Sequence, residues 1–426
     1  MPIPNCTGPY NVGCVDIMTK DKSIPKDFHD PYSVCHAELG SFFRLFYPCA
    51  NVDVSQYKQA TWTPEPNQKI YAYAFMKHLN ISPRWFGWLS HLLTKNIKMH
   101  AYEDVPVIDQ ESWQGMQNLS HLKKKSNFPL VLFSHGLGGQ RAMYSVFCTQ
   151  LASEGFIVAA VEHRDTSSTS SYVMSNNETI EVPYYVTPTV DDGDKERFRL
   201  RNTQLEQRTR EMMAALDTLE VLNNNPSTIQ NMMTVQFDLC TLKDRIDVAC
   251  PLIMGHSFGG ATMLNTLKRD PRLKCGIGLD VWFVPLSDDF YNDNASTDKP
   301  VLLINTERFN WKKNLARCEK YINNTTKDYI EFLTLRGTGH MDQTDVPGVV
   351  PQFIASWIIK NHPEQMKFAD AIHVQRKIIF DYFGKYLHRN ETPVRLLDEH
   401  YELDDAFMVG SNITLTDADE TKSLKN

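Results

Sequence analysis

The chain of 426 residues has no uninterrupted apolar run approaching the roughly 18 residues of a membrane-spanning helix. It has no excess of cations: the formal net charge is −7 and the pI near 6.1, which leaves no basic field for nucleic acid. It has no Cys-x-x-Cys pair and no Cys/His cluster at metal-ligand spacing, so no metal is expected. Its glycine-rich loops lack the Gly-x-Gly-x-x-Gly pattern and a Walker lysine, so no nucleotide cofactor is expected either. The start Met1-Pro-Ile-Pro has neither a charged n-region nor an apolar h-region, and Pro2 stands where N-myristoylation needs glycine. The nine cysteines are an odd number without pattern, as free thiols in a reducing compartment would be. A cytoplasmic protein is therefore expected. Nine Asn-x-Ser/Thr sites keep secretion as the alternative.

What is present is an ordinary globular composition, 42% apolar and 22% charged. Residues 1–65 show little periodicity and suggest an N-terminal segment wrapped on the body. Residues 66–388 carry the catalytic domain, and 389–426 form a polar extension. From residue 129 strands and helices alternate. Strand candidates are Leu130–Ser134, Phe156–Val161, Leu252–Met254, Cys275–Leu279, Val301–Ile304 and Tyr329–Leu335. Helices are expected over 139–153, 198–223, 259–269, 310–322 and 347–361. This rhythm predicts an α/β fold with a mostly parallel sheet flanked by helices. The stretch 165–197, rich in Ser, Thr and Asp, reads as an excursion loop. A helical hairpin is expected across 69–100.

One motif carries chemistry. The run Pro251-Leu-Ile-Met-Gly-His-Ser-Phe-Gly-Gly260 contains Gly255-x-Ser257-x-Gly259, a strand-turn-helix elbow that exposes a serine. A serine hydroxyl is a weak nucleophile and needs a histidine base oriented by a carboxylate. In an α/β-hydrolase the order is serine, acid, histidine, each partner just past a strand. His340 follows the strand Phe332–Leu335 through a Gly-containing loop, whereas His362 lies in a helix-ending turn. His340 also opens a His-x-x-x-x-Asp spacing with Asp345. Asp280 ends the strand Gly276–Leu279 and is preferred to Asp288 and Asp289, which lie in a polar turn. The oxyanion hole needs the N–H of Phe258 and a second donor, Leu137 or Gly138, from the loop Ser134-His-Gly-Leu-Gly-Gly139.

Gly255-His-Ser-Phe-Gly-Gly260, Ser134-His-Gly-Leu-Gly138, Val161-Glu-His-Arg-Asp165 and Leu279-Asp-Val-Trp-Phe283 together resemble the platelet-activating-factor acetylhydrolases. Gly8-Pro-Tyr-Asn-Val-Gly-Cys-Val-Asp16 and Arg201-x-x-Gln-Leu-x-Gln-Arg208 extend the similarity, which spans residues 8–385. The resemblance implies a calcium-independent phospholipase, active on acetyl, short or oxidised sn-2 acyl chains of phospholipids. It carries nucleophile, acid and base to Ser257, Asp280 and His340, and the oxyanion donors to Leu137 and Phe258. Gly339-His340-Met-Asp departs from the residues usual around that histidine. The Glu162–Asp165 run receives no chemical step. The competing functions are a general carboxylesterase or lipase on the same fold and a catalytically silent lipid-binding protein. A lipid substrate implies peripheral contact with a membrane or lipoprotein surface. The candidates for that contact are Trp85, Phe86, Trp88 and Leu89, with Val350–Ile359 as a second stretch.

Overall fold

The computed structural model describes residues 3–78, 83–109, 127–175, 178–187, 195–233, 235–292, 299–325, 329–350, 365–387, 396–397 and 401–415. The strands, in chain order, are β1 (Val12–Met18), β2 (Phe42–Pro48), β3 (Gln59–Thr61), β4 (Lys98–Glu103), β5 (Phe128–Ser134), β6 (Ile157–Val161) and β7 (Ser170–Ser175). They continue with β8 (Glu178–Pro183), β9 (Ile246–His256), β10 (Gly276–Leu279), β11 (Val301–Thr306), β12 (Ile330–Leu335) and β13 (Phe407–Val409). All but β7 and β8 join one sheet in the order β13-β12-β11-β10-β9-β5-β6-β2-β1-β4-β3. The six strands from β6 to β12 are parallel neighbours. On one side of them β2 and β1 run antiparallel, and on the other β13 closes the edge antiparallel to β12.

Helices cover both faces, which explains why the parallel strands read as continuous apolar runs instead of alternating ones. Val131, Phe133, Leu252, Met254, Leu302 and Ile304 point to one face, packed by helices Ser145–Ser153 and Phe368–Leu387. Leu130, Leu132, Ile253, Val301 and Leu303 point to the other, under helices Lys195–Asn224 and Phe258–Arg269. Each fully buried Leu, Ile or Phe side chain contributes about 1.5–3 kcal/mol.

The six strands expected from the sequence all form, as do the helices near 139–153, 198–223, 259–269 and 310–322. Three features differ. The first 65 residues supply β1, β2 and β3 to the sheet itself. They look aperiodic because β1 and β2 are buried on both faces yet hold a charge each. Asp16 sits opposite Arg44 in the antiparallel register and accepts from its Nε at 2.7 Å. Arg141 adds a second guanidinium, Nη2 to Asp16 Oδ2 at 2.8 Å. A lone buried charge costs several kcal/mol, so this three-way pairing is what admits polar residues to the sheet. Burial alone would raise the Asp16 carboxyl, but Arg141 and Arg44 hold it well below the usual range.

The stretch 165–197 is not an open excursion. Residues Asp165–Val173 are buried, and β7 pairs with β8 as a hairpin. Likewise part of the polar tail is bound, since β13 adds to the sheet edge and Leu396 is buried. The expected helix at 347–361 is represented by the turn Val346–Val349; the remainder of it, and most of Val350–Ile359, lies outside the described residues. The helical hairpin near 69–100 is present as Gln68–His78 and Pro83–Thr94.

Candidate active site

The site lies at the C-terminal ends of the parallel strands, where α/β sheets place their ligands. β9 ends at His256, and Ser257 follows with φ +57° and ψ −117° before the helix Phe258–Arg269 begins. A non-glycine residue held there stores of order 1–3 kcal/mol of strain. The flanking glycines make the turn possible. A Cβ on Gly255 would lie 2.1 Å from the Gly259 carbonyl oxygen, and one on Gly259 would lie 2.0 Å from that of Ser134. Ser257 N–H donates to Leu279 O at 2.9 Å, and its own carbonyl accepts from Trp282 N at 3.0 Å. These bonds fix the turn against the next strand.

β10 delivers Asp280, which is fully buried with φ +44°. Its carboxylate accepts from Thr306 N at 2.5 Å, Thr306 Oγ1 at 2.7 Å and His340 Nδ1 at 2.9 Å. Burial pushes the carboxyl up from its ordinary value, and the bonds from His340 and Thr306 pull against it. The loop after β12 delivers His340, with a side chain one-third exposed. That loop is tied down by Gly337 N to Glu307 Oε2 at 2.7 Å and Gly339 N to Asp342 Oδ2 at 2.8 Å.

The His340 ring is held in a slot. Phe309 stacks on one side at 4.2 Å between centroids and 10° between planes, and His256 lies against it at 4.4 Å and 31°. His256 is in turn bonded through Nδ1 to Tyr144 Oη at 2.9 Å, and that oxygen accepts from Gly136 N at 3.0 Å. Burial, then the charge of His340, keeps His256 well below the usual histidine range, so it is neutral beside the His340 ring. The Ser257 hydroxyl is not hydrogen-bonded to His340 in this structure, a looseness common where catalytic bonds tighten only on substrate binding.

His256, Asp280 and His340 present three ligand atoms within 4.8 Å of one another. They fit a cation poorly. Asp280 already accepts three hydrogen bonds, and two rings packed against each other do not aim their in-plane lone pairs at one point.

The loop after β5 lies across from the elbow: a Cβ on Gly136 would sit 3.2 Å from Ser257 Cβ. Its polar atoms are almost all engaged. Gly136 N–H goes to Tyr144, Gly138 N–H to Ser167 O at 2.8 Å and Gly139 N–H to Gly136 O at 3.0 Å. Among the described residues no acceptor faces the N–H of Leu137. Phe258 N–H opens its helix and belongs to the first turn, whose amides have no intrahelical acceptor. Of the two candidates Leu137 and Gly138, only Leu137 thus retains a free donor.

A family model described as "Platelet-activating factor acetylhydrolase, isoform II" matches residues 1–400. The chain belongs to this family. As a member of it, the protein is a carboxylic ester hydrolase. A chicken (Gallus gallus) protein named platelet-activating factor acetylhydrolase is 32% identical over 370 residues, 83% of this chain and 77% of that one. The bovine (Bos taurus) protein of the same name is 34% identical over 348 residues, 80% of this chain and 68% of that one. A fission-yeast (Schizosaccharomyces pombe) "putative phospholipase A2" is 25% identical over 400 residues, 83% and 85% of the two chains. Among solved structures, a ferulic acid esterase from Streptomyces cinnamoneus matches with TM-score 0.62 and 18% identity over 96% of this chain and 99% of that one. That likeness shows the fold, an α/β-hydrolase.

Several parts of the candidate site have no signature in the sequence. Phe309, Tyr144 and Thr306 carry no motif of their own. The Glu162–Asp165 run, which receives no chemical step from the sequence, is buried at all four residues. The signal was there in Arg201-x-x-Gln-Leu-x-Gln-Arg208, whose Gln204 and Arg208 lie one helical turn apart and both face that run. Of the interface candidates, Trp88 is 61% exposed on helix Pro83–Thr94, beside the partly exposed Leu92 and Tyr73. The side chains of Trp85, Phe86 and Leu89 lie outside the described residues.

Proposed function

We propose that this member of the family hydrolyses the sn-2 acetyl, short or oxidised acyl ester of glycerophospholipids such as platelet-activating factor, by two-step acyl transfer without calcium. The observation that carries the reading is the Asp280–His340 hydrogen bond of 2.9 Å, standing at the same strand ends as the strained Ser257 turn. Ser257 attacks the sn-2 carbonyl while His340 takes its proton, and the buried Asp280 stabilises the imidazolium that forms. The stacked Phe309 face favours that cation, and neutral His256 does not oppose it. The N–H groups of Leu137 and Phe258 receive the oxyanion. Lyso-phospholipid leaves carrying the proton that His340 returns. Water, activated by the same ring, then releases the short acid and frees the serine.

No step calls on a cation, so the rate should be the same in excess chelator. Contact with lipid is assigned to the helix Pro83–Thr94, whose Trp88 and Leu92 offer an exposed apolar edge. Among the described residues no helix is long and apolar enough to cross a membrane.

The test is an assay of purified protein on phosphatidylcholines with sn-2 chains of increasing length, beside Ser257→Ala. Release of acetate and short acids only, abolished in the variant, supports the reading. Cleavage confined to water-soluble esters favours a general esterase, and activity that survives in the variant removes Ser257 from the chemistry.

A further inference from the structure

The bonds of the residues around the oxyanion loop converge on one side chain. Arg208 lies mid-way along helix Lys195–Asn224 and is fully buried. Its Nε donates to Asp165 Oδ2 at 3.0 Å and to Ser167 Oγ at 2.9 Å. Its Nη2 donates to Ser167 Oγ at 2.7 Å, and its Nη1 donates to the carbonyl of His135 at 2.6 Å. Above the same guanidinium plane lies the ring of Phe258, with the ring centroid 4.3 Å from Cζ.

These contacts touch both arms of the anion site. The His135 carbonyl belongs to the peptide immediately before Gly136, so Arg208 holds the loop one residue before the peptide that carries Leu137 N–H. Phe258 supplies the other donor, and its ring is pinned from below by the cation. Ser167, which Arg208 grips, accepts from Gly138 N at 2.8 Å through its own carbonyl. Thr169 closes the far side: its N–H donates to Gly139 O at 2.9 Å and its hydroxyl to Gly138 O. Asp165 keeps this arrangement oriented, accepting from Ser167 N at 3.0 Å as well as from Arg208. On the same helix, Gln204 Nε2 donates to Asp165 O at 2.9 Å. Glu211 accepts from Arg164 N at 3.0 Å. Residues 204, 208 and 211 share one helix face, so a single rigid element reads the whole segment.

We propose that Arg208 is a positioning residue for the acyl-transfer step: its buried guanidinium fixes the His135 carbonyl and the Phe258 ring together, setting the spacing between the two backbone donors of the oxyanion hole. The proposal rests on the reading of Leu137 and Phe258 as those donors. It gives the buried Glu162–Asp165 run a function, since Asp165 orients Arg208 and does not itself meet substrate. A lysine cannot replace this arginine, because one ammonium cannot reach Asp165, Ser167 and His135 at once while presenting a flat face to Phe258.

The test uses the full chain as wild type, Arg208→Lys, Arg208→Met, the double variant Asp165→Asn/Arg208→Met, and Ser257→Ala. Three quantities are read: kcat and KM on a 2-acetyl phosphatidylcholine, the Ki of a trifluoromethyl ketone whose serine adduct carries an oxyanion, and the melting temperature. Arg208→Met leaves Asp165 buried and unpaired and should be strongly destabilised, whereas the double variant removes both charges and recovers much of that loss. Arg208→Lys keeps a cation and tests the same point if the double variant does not fold. A displacement of about 1 Å at such donors is worth about 10²-fold. We therefore expect kcat to fall about 10²-fold in Arg208→Lys and in the double variant, with KM within about twofold and Ki raised by the matching factor. Recovery of kcat along with stability in the double variant would make Arg208 a structural residue only and overturn the proposal. A fall in kcat with Ki unchanged would do the same. If Ser257→Ala keeps wild-type activity, the reading of the site fails and this proposal with it, an outcome that the variants at Arg208 cannot mimic.

Discussion

Among the described residues two serine–histidine–carboxylate sets stand out. Ser257, His340 and Asp280 lie at the strand ends; Ser134, His163 and Glu211 lie beneath them. In the second set the chain of bonds is complete, with Ser134 Oγ 2.7 Å from His163 Nε2 and His163 Nδ1 2.9 Å from Glu211 Oε2. In the first set only the histidine–carboxylate bond is made. By hydrogen bonds alone the second set looks better prepared for catalysis. Access separates them. Ser134 and His163 are wholly buried, whereas the His340 side chain is one-third exposed and Ser257 stands on a turn with φ +57°. The free amides of Leu137 and Phe258 accompany Ser257. A complete relay of this kind is thus not a site in itself. Here the second one anchors the end of β5, next to the loop that carries Leu137.

The largest contrast should come from the two serines. Ser257→Ala is expected to lower kcat by about 10⁴-fold or more. Ser134→Ala should keep kcat within about tenfold and cost about 1 kcal/mol of stability, the worth of one internal hydrogen bond. The acids should divide in the same way. Asp280→Asn is expected to lower kcat about 10⁴-fold with the fold intact. Glu211→Gln should instead lower the melting temperature by several degrees and leave most of the activity. Equal activity losses at Glu211 and Asp280 would erase the distinction.

Acid titration sharpens the comparison. His135, His163 and His256 are each held well below the usual histidine value, first by burial, then by Arg208 for His135 and His163 and by His340 for His256. In the unfolded chain these rings protonate near pH 6.5, and in the fold they do not. The unfolded state therefore binds more protons below that pH, and stability falls as pH drops. Each ring contributes a slope of about 1.4 kcal/mol per pH unit. His163→Gln should reduce the proton uptake on unfolding by about half a proton at pH 6.5 and by about one at pH 5, measured from melting curves. An unchanged slope would mean that His163 is charged in the fold.

The reach of the sequence follows the same divide. The elbow at Gly255–Gly259 and the proposed acid and base, Asp280 and His340, each sit just past an apolar run, so strand periodicity and spacing point to them. The buried polar half did not announce itself. Asp16, Arg44, Glu162–Asp165 and Arg141 are charged or polar residues of types that are mostly found at the surface. What makes them interior is pairing between segments more than a hundred residues apart, such as Asp16 with Arg141. Phe309 was equally silent, because stacking on His340 depends on where two loops meet.

A smaller effect concerns the lipid edge. Trp88→Glu should lower the ratio of activity on vesicles to activity on a water-soluble ester by about tenfold, through loss of buried apolar area and the added charge. A ratio that does not move would relocate lipid contact to another surface.

The most direct measurement is to quench the enzyme during turnover of a 2-acetyl phosphatidylcholine and locate the acetyl group by peptide mass spectrometry. Acetyl on Ser257, and none on Ser134, is the expected result. Acetyl on any other residue, or turnover that persists undiminished in Ser257→Ala, would contradict it.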